Sequence, residues 1–188
     1  MAGDGRAIVR VLLQNIEAGD RRKFEAKSND SETGGGARDL RFRPEDEFLP
    51  FFGRMFPDKR FEDRTSKGVR SEIEVVSGTV VWKEPTGEKS ATMEVWPATN
   101  ARPGECRIAR ISSFDFSGLI ADDSSSGRSV FMMFQQEDGT IRIHFTTETS
   151  LRNDEWDPKI KRFARDWFAD GSKSAFLDLS TQEQYPRG

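Results

Sequence analysis

Lys27-Ser-Asn-Asp-Ser-Glu-Thr-Gly-Gly-Gly-Ala-Arg-Asp-Leu-Arg-Phe-Arg-Pro44 is the stretch that decides how this sequence folds. Three consecutive glycines, Gly34–Gly36, following Asn29, Asp30, Ser31 and Thr33, cannot hold regular structure and form an exposed, adaptable loop. Leu40 and Phe42 then alternate with Arg41 and Arg43, which predicts a short strand with one apolar and one basic face. From Arg21 to Arg43, seven basic side chains face four acidic ones, in a chain whose formal net charge is −3. Glycines let a backbone come close to a ligand, and Ser, Asn and Thr can bond phosphates or base edges. On the residues alone, the stretch fits either a nucleic-acid-contacting arm or a solvated loop.

Upstream, Ile8, Leu12 and Ile16 share a helical face with Val9 and Leu13 beside it, so a helix is expected over Arg6–Glu17, ended by Gly19. Arg21–Ser28 reads as a strand. Downstream, Pro44 suits a first helical position, and Glu45–Glu47 put acids where the helix dipole favours them. Phe48, Leu49, Phe52, Met55 and Phe56 continue that helix as a plug against the end of a sheet, with Pro50 expected to kink or divide it. Most of the remainder reads as β: Glu72–Trp82, Ala91–Trp96, Cys106–Ile111, Ser129–Gln136 and Thr140–Thr147. Glu137-Asp138-Gly139 makes a hairpin of the last two. Asp122–Arg128 is a polar, serine-rich loop. Asp157-Pro158 starts a helix whose apolar stripe is Ile160, Phe163, Ala164, Trp167 and Phe168; Gly171 ends it, and Ala175–Leu179 returns as a strand. Many short strands with two or three helices imply a barrel-like or α+β fold.

The totals set bounds. The 188 residues suit a single domain, 1–188, with a Phe-rich core inside a charged shell. A net acidic chain does not coat nucleic acid indiscriminately, although charge can still cluster locally. Cys106 is the only cysteine, so no internal disulfide forms, and a reducing, cytoplasmic setting is expected. No apolar run approaches a bilayer span and the start lacks a signal peptide's regions, so no membrane association is expected. His144 is the only histidine and reads as an exposed strand residue; without a second histidine or a cysteine cluster no zinc site is expected. Cys106 reads as a small buried residue.

The Asn29-Asp30 pair, the Thr-Gly-Gly run, the strand after it and the Pro-led helix ending in Met-Phe-Pro57 resemble the N-terminal, effector-DNA-binding domain of EcoRII-type restriction endonucleases. Thr99-Asn-Ala-Arg-Pro-Gly-Glu-Cys-Arg-Ile-Ala-Arg110 resembles that family's second arm, a Thr-Arg-Asn-Glu-type loop followed by an Arg-Ile-Thr-Arg strand. Ser129–Thr147 and the acidic turn Asn153–Asp157 are similar to the hairpin and acidic segment closing the same domain, so the likeness spans most of the chain in order. The resemblance implies a mainly β chain with flanking helices, in a B3-like open β pseudobarrel. It also implies two arms, about 21–43 and 98–111, that grip double-stranded DNA in the major groove. There are departures: Ala37-Arg38 stands where the family tends to carry His-Gln, and the second arm has Asn-Ala-Arg and an added Pro-Gly. The target sequence therefore does not carry over. Arg38 in place of Gln would favour guanine over adenine.

For base reading, the resemblance and the donor–acceptor chemistry point to Asn29, Asp30, Thr33 and Arg38 in the first arm, and to Asn100, Arg102 and Arg107 in the second. Asp30 can equally cap a turn. Phosphate contacts are expected from Arg22, Lys23, Lys27, Ser28, Gly35, Gly36, Arg41, Arg43, Thr99 and Arg110. In the family, recognition is paired with a separate nuclease domain, so a nuclease domain or subunit is an expected partner. Pro57-Asp58 is followed by no convincing Glu-x-Lys, so no catalytic activity and no cofactor are expected here. Two rival readings remain. One is a small divergent Mg-dependent nuclease with carboxylates scattered among Asp58, Glu72, Glu74 and Glu94; the other is a basic-loop domain binding RNA or an acidic protein.

Overall fold

The computed structural model describes residues 6–24, 39–66, 68–99, 102–120 and 127–186. In chain order its elements are β1 (Ile8–Asn15), α1 (Ala18–Phe24), β2 (Leu40–Phe42), α2 (Glu45–Met55), β3 (Asp58–Ser66), β4 (Val69–Glu84), β5 (Gly87–Trp96) and β6 (Cys106–Ile108). There follow β7 (Ser129–Gln136), β8 (Ile141–Thr147), α3 (Glu148–Asn153), α4 (Pro158–Asp170), β9 (Ser174–Asp178) and β10 (Glu183–Tyr185). The chain is mainly β with a few helices, as expected, and its strand order is open, running from β10 at one end to β2 at the other. No helix among the described residues is long and apolar enough to cross a membrane. Two compact units form: Met1–Arg21 with Val80–Ser90 and Gly118–Gly188, and Arg22–Thr79 with Ala91–Ser117.

In the first unit, β1 lies antiparallel between β7 and β9, with Leu12 opposite Met133 on one side and Phe176 on the other. This corrects the helix expected over Arg6–Glu17. The run from Val9 to Leu13 is apolar at every position but Arg10, and a short apolar run fits a doubly covered strand as well as a helix. Val11 and Leu13 face Val130, Met132 and Phe134 of β7, and α3 and α4 cover that side with Leu151, Ile160, Phe163, Trp167 and Phe168. Leu12, Phe131 and Met133 are also fully buried, so the strand needs apolar residues on both faces. Asp157 caps α4 by accepting from the Lys159 N–H at 2.7 Å, and Gly171 ends it in the left-handed region at φ 79°. The β7–β8 hairpin turns at Gly139, whose φ is 87°.

The strand expected over Arg21–Ser28 is also corrected: α1 occupies Ala18–Phe24, and residues 25–28 lie outside the described ones. Ala, Arg and Lys favour a helix, and Asp20 in its first turn suits the dipole.

In the second unit, β3 and β4 form an antiparallel hairpin from Asp58 opposite Ser77 to Ser66 opposite Val69. β5 pairs with β6, and β6 with β2. Leu40, Phe42, Val95, Cys106 and Ile108 are fully buried, as are Phe48, Phe51, Phe52 and Met55 of α2. Phe42 meets Phe48 and Phe52 with ring centroids 5.5 and 5.1 Å apart, so α2 packs against the apolar face of β2. Pro50 lies inside α2 without dividing it. It is exposed, so the carbonyl its missing N–H leaves unpaired can turn to water. β6 is shorter than expected, stopping at Ile108; Arg110 then takes a left-handed conformation (φ 54°) that starts a 3₁₀ turn over Ile111–Phe114.

Candidate nucleic-acid interface

The alternation that buries Leu40, Phe42, Val95, Cys106 and Ile108 turns their neighbours to the other face of the same strands. Arg41 stands opposite Arg107 in the β2–β6 pair, and Trp96 stands opposite Arg107 in the β5–β6 pair. Residues directly opposite share a face. Arg41, Arg107 and Trp96 therefore form one row across three strands, on the side away from the Phe-rich core. Two arginines of β3 reach the same aromatic ring: the guanidinium carbon of Arg64 lies 4.5 Å from the Trp96 centroid and that of Arg60 lies 5.8 Å away.

Carboxylates hold this basic row in place. Glu105, 5% exposed, lies 3.4 Å from Arg41, 2.7 Å from Arg43 and 3.8 Å from Arg102, so one buried acid serves three guanidiniums. Arg107 lies 3.4 Å from Asp39, and its buried Nε–H makes no hydrogen bond. Burial pulls the Arg107 guanidinium below its ordinary pKa; Asp39 opposes that shift, and the nearby positive charge of Arg64 adds to it. On Arg60 the balance is reversed. The hydrogen bond to Glu62 is the main cause raising its pKa, with Glu94 adding to it. Glu94 also accepts from the Trp96 indole N–H at 3.1 Å, which fixes the ring between the acid and the two arginines.

The second arm is pinned to the start of α2. The Glu45 carboxylate accepts from the Ala98 N–H, and the Glu45 N–H donates to the Gly104 carbonyl at 3.1 Å. Thr99 and Arg102 bridge through their backbones, with the Arg102 N–H donating to the Thr99 carbonyl at 2.8 Å. Gly104 takes a φ of 73°, so Pro103-Gly104 turns the chain here. Asp39 accepts from the Arg110 N–H at 3.1 Å, fastening the far end of the arm to the start of β2.

The described site residues of the second arm and of β2 thus come together. Arg102, Arg43 and Arg110 are exposed, while Arg41, Arg107 and Thr99 are partly buried. Lys23, and the backbone of Arg22, belong to α1 and not to the strand that was expected to lead into the first arm. Lys27, Ser28, Asn29, Asp30, Thr33, Gly35, Gly36, Arg38 and Asn100 lie outside the described residues. Sequence reasoning missed Arg60, Arg64 and Trp96. The signal was the alternation of Arg60, Glu62 and Arg64 in a segment too polar to be read as a strand.

The carboxylates of the rival nuclease reading do not converge. Glu74 pairs with Lys59 at 3.1 Å, on the face of β3 that also carries Phe61, whereas Glu94 pairs with Arg60 at 2.9 Å on the opposite face. Among the described residues no group of three or more His, Cys, Asp or Glu is placed to hold a metal. His144 is partly buried, against the Trp156 ring at 5.6 Å, which corrects its expected exposure. Cys106 is buried as expected, and burial pushes its thiol pKa up. No family model, no curated protein and no solved structure matches this chain.

Proposed function

We propose that this chain binds double-stranded DNA at a short specific sequence, as the recognition module or subunit of a restriction or anti-phage system whose catalysis lies elsewhere. In this reading the strands make a B3-like pseudobarrel that presses two arms into the major groove. The observation that carries it is the Arg41–Arg107–Trp96 row, flanked by Arg64, on the sheet face opposite the Phe-rich core. Such a face supplies cations for phosphates, and an arginine fork for the O6 and N7 of guanine. Arg107 suits the second task by its place in the middle of the row, opposite both Arg41 and Trp96. Asn29, Asp30, Thr33, Arg38, Asn100 and Arg102 complete the base-reading set. Lys27, Arg41, Arg43, Arg110 and, newly, Arg64 serve the backbone.

The test is selection of bound duplexes from a random library with the whole chain. A single enriched motif, weakened for Arg107→Gln, is the expected result. Recovery of no motif would sink specific recognition. Preference for single-stranded RNA in competition would favour the RNA reading, and plasmid cleavage with Mg²⁺ would favour the nuclease.

A further inference from the structure

The first unit holds a concentration of positive charge of its own. Arg152 at the end of α3, Trp156, and Lys161, Arg162 and Arg165 of α4 line a cleft of about 510 Å³. Pro158, Lys161 or Arg162, and Arg165 recur at three- and four-residue steps, which puts them on one side of α4.

Two acids here are each shared between two cations, and Asp154 is exposed. Glu148 serves two arginines, Arg152 at 2.7 Å and Arg128 at 3.0 Å. Asp166 likewise serves Arg165 at 3.1 Å and Arg162 at 3.8 Å. Lys161 has no ion-pair partner among the described residues. The Asp157 carboxylate is engaged in capping α4, and Glu155 is exposed. A second observation is independent of charge: Trp156 is 6% exposed, and its buried indole N–H finds no acceptor. Other atoms of the Trp156 side chain line the cleft, so its N–H resonance reports on what binds there.

We propose that this cleft binds a phosphate group. A phosphate carries up to two charges and offers oxygens in several directions, so guanidinium forks and an ammonium can donate to it together. A carboxylate offers one charge in one plane. The group can belong to a free phosphate compound or to a nucleic-acid backbone.

The test follows the Trp156 indole N–H resonance in the ¹⁵N-labelled whole chain, titrated separately with pyrophosphate and with duplex DNA, against a chloride control of equal ionic strength. A saturable shift with pyrophosphate, weakened about tenfold or more in Lys161→Gln/Arg165→Gln, assigns the cleft to free phosphate compounds. A shift with duplex alone, abolished by the same pair of substitutions, assigns it to the nucleic-acid backbone. No saturable shift with either, or a shift the substitutions leave unchanged, overturns the proposal. Arg107→Gln separates this from the sheet-face reading, since it weakens duplex recognition there and leaves the pyrophosphate titration intact.

Discussion

Asp39 holds β6 and the turn after it with its two oxygens: Oδ2 lies 3.4 Å from the Arg107 guanidinium, and Oδ1 accepts from the Arg110 N–H at 3.1 Å. Both side chains of the ion pair are largely out of water, Arg107 at 17% exposed and Asp39 at 7%. Asp39→Asn keeps an acceptor for the Arg110 N–H but leaves the arginine without a counter-charge. A loss of about 3 kcal/mol in urea unfolding is expected. Unchanged stability would show that the pair contributes nothing.

Glu105 gathers Arg41, Arg43 and Arg102 around one buried carboxylate. Removing its charge leaves three guanidiniums repelling one another. Glu105→Gln is expected to lower the melting temperature most at low ionic strength and to recover part of the loss as salt screens the repulsion. A loss independent of salt would mean that packing, not charge, is the role of this residue.

Burial lowers the His144 pKa from its ordinary 6.5, and the Asp154 carboxylate offsets this only in part. The folded chain therefore favours neutral imidazole, while the unfolded chain takes up a proton below about pH 6.5. Stability should fall as pH drops from that value and stop falling, for this group, once the folded histidine also titrates. His144→Phe keeps a ring against Trp156 and removes the step. The difference in unfolding free energy between the two proteins should shift between about pH 7 and about pH 5.5, and a constant difference would rule the linkage out.

Under the proposed DNA-binding function, Arg38 and Arg64 separate base reading from phosphate binding. Arg38→Ala should relax preference at one position of the selected motif, with a discrimination loss of about 1–3 kcal/mol. Arg64→Gln should weaken all duplexes alike and reduce the slope of log affinity against log salt by about one. Fluorescence anisotropy over a salt series reads both. If Arg38→Ala weakened every sequence equally, its assignment to a base would fail.

Where one physical signal dominated, the sequence was legible. Asp157-Pro158, the stripe of Ile160, Phe163 and Trp167, and Gly171 each act locally, and α4 forms between those limits. β7 and β8 were legible for the same reason: a glycine turn joins two β-rich runs. β1 escapes the sequence pattern because both its faces are buried, one of them beneath α3 and α4, and burial on both sides erases alternation. β3 was invisible from the opposite cause. Its only apolar residue is Phe61, 65% exposed, and it pairs with β4 alone, so backbone hydrogen bonds and charged side chains define it. The same blindness hid Arg60 and Arg64. Trp96 could be placed on a strand, but its role depended on Arg107 standing opposite it, which only the register of β5 against β6 determines.

The pairing of β1 with β9 sets an order in time. Val11 meets Leu177 and Gln14 meets Ser174, so β1 waits for a partner strand synthesised long after it. Until then Val11, Leu12 and Leu13 present an unpaired apolar edge, during which a chaperone or the ribosome surface is their natural cover. Contacts of such long sequence separation also slow folding itself. A chain interrupted anywhere before Ser174 would deprive β1 of this partner, so β9 acts as the latch that makes the first unit a finished fold.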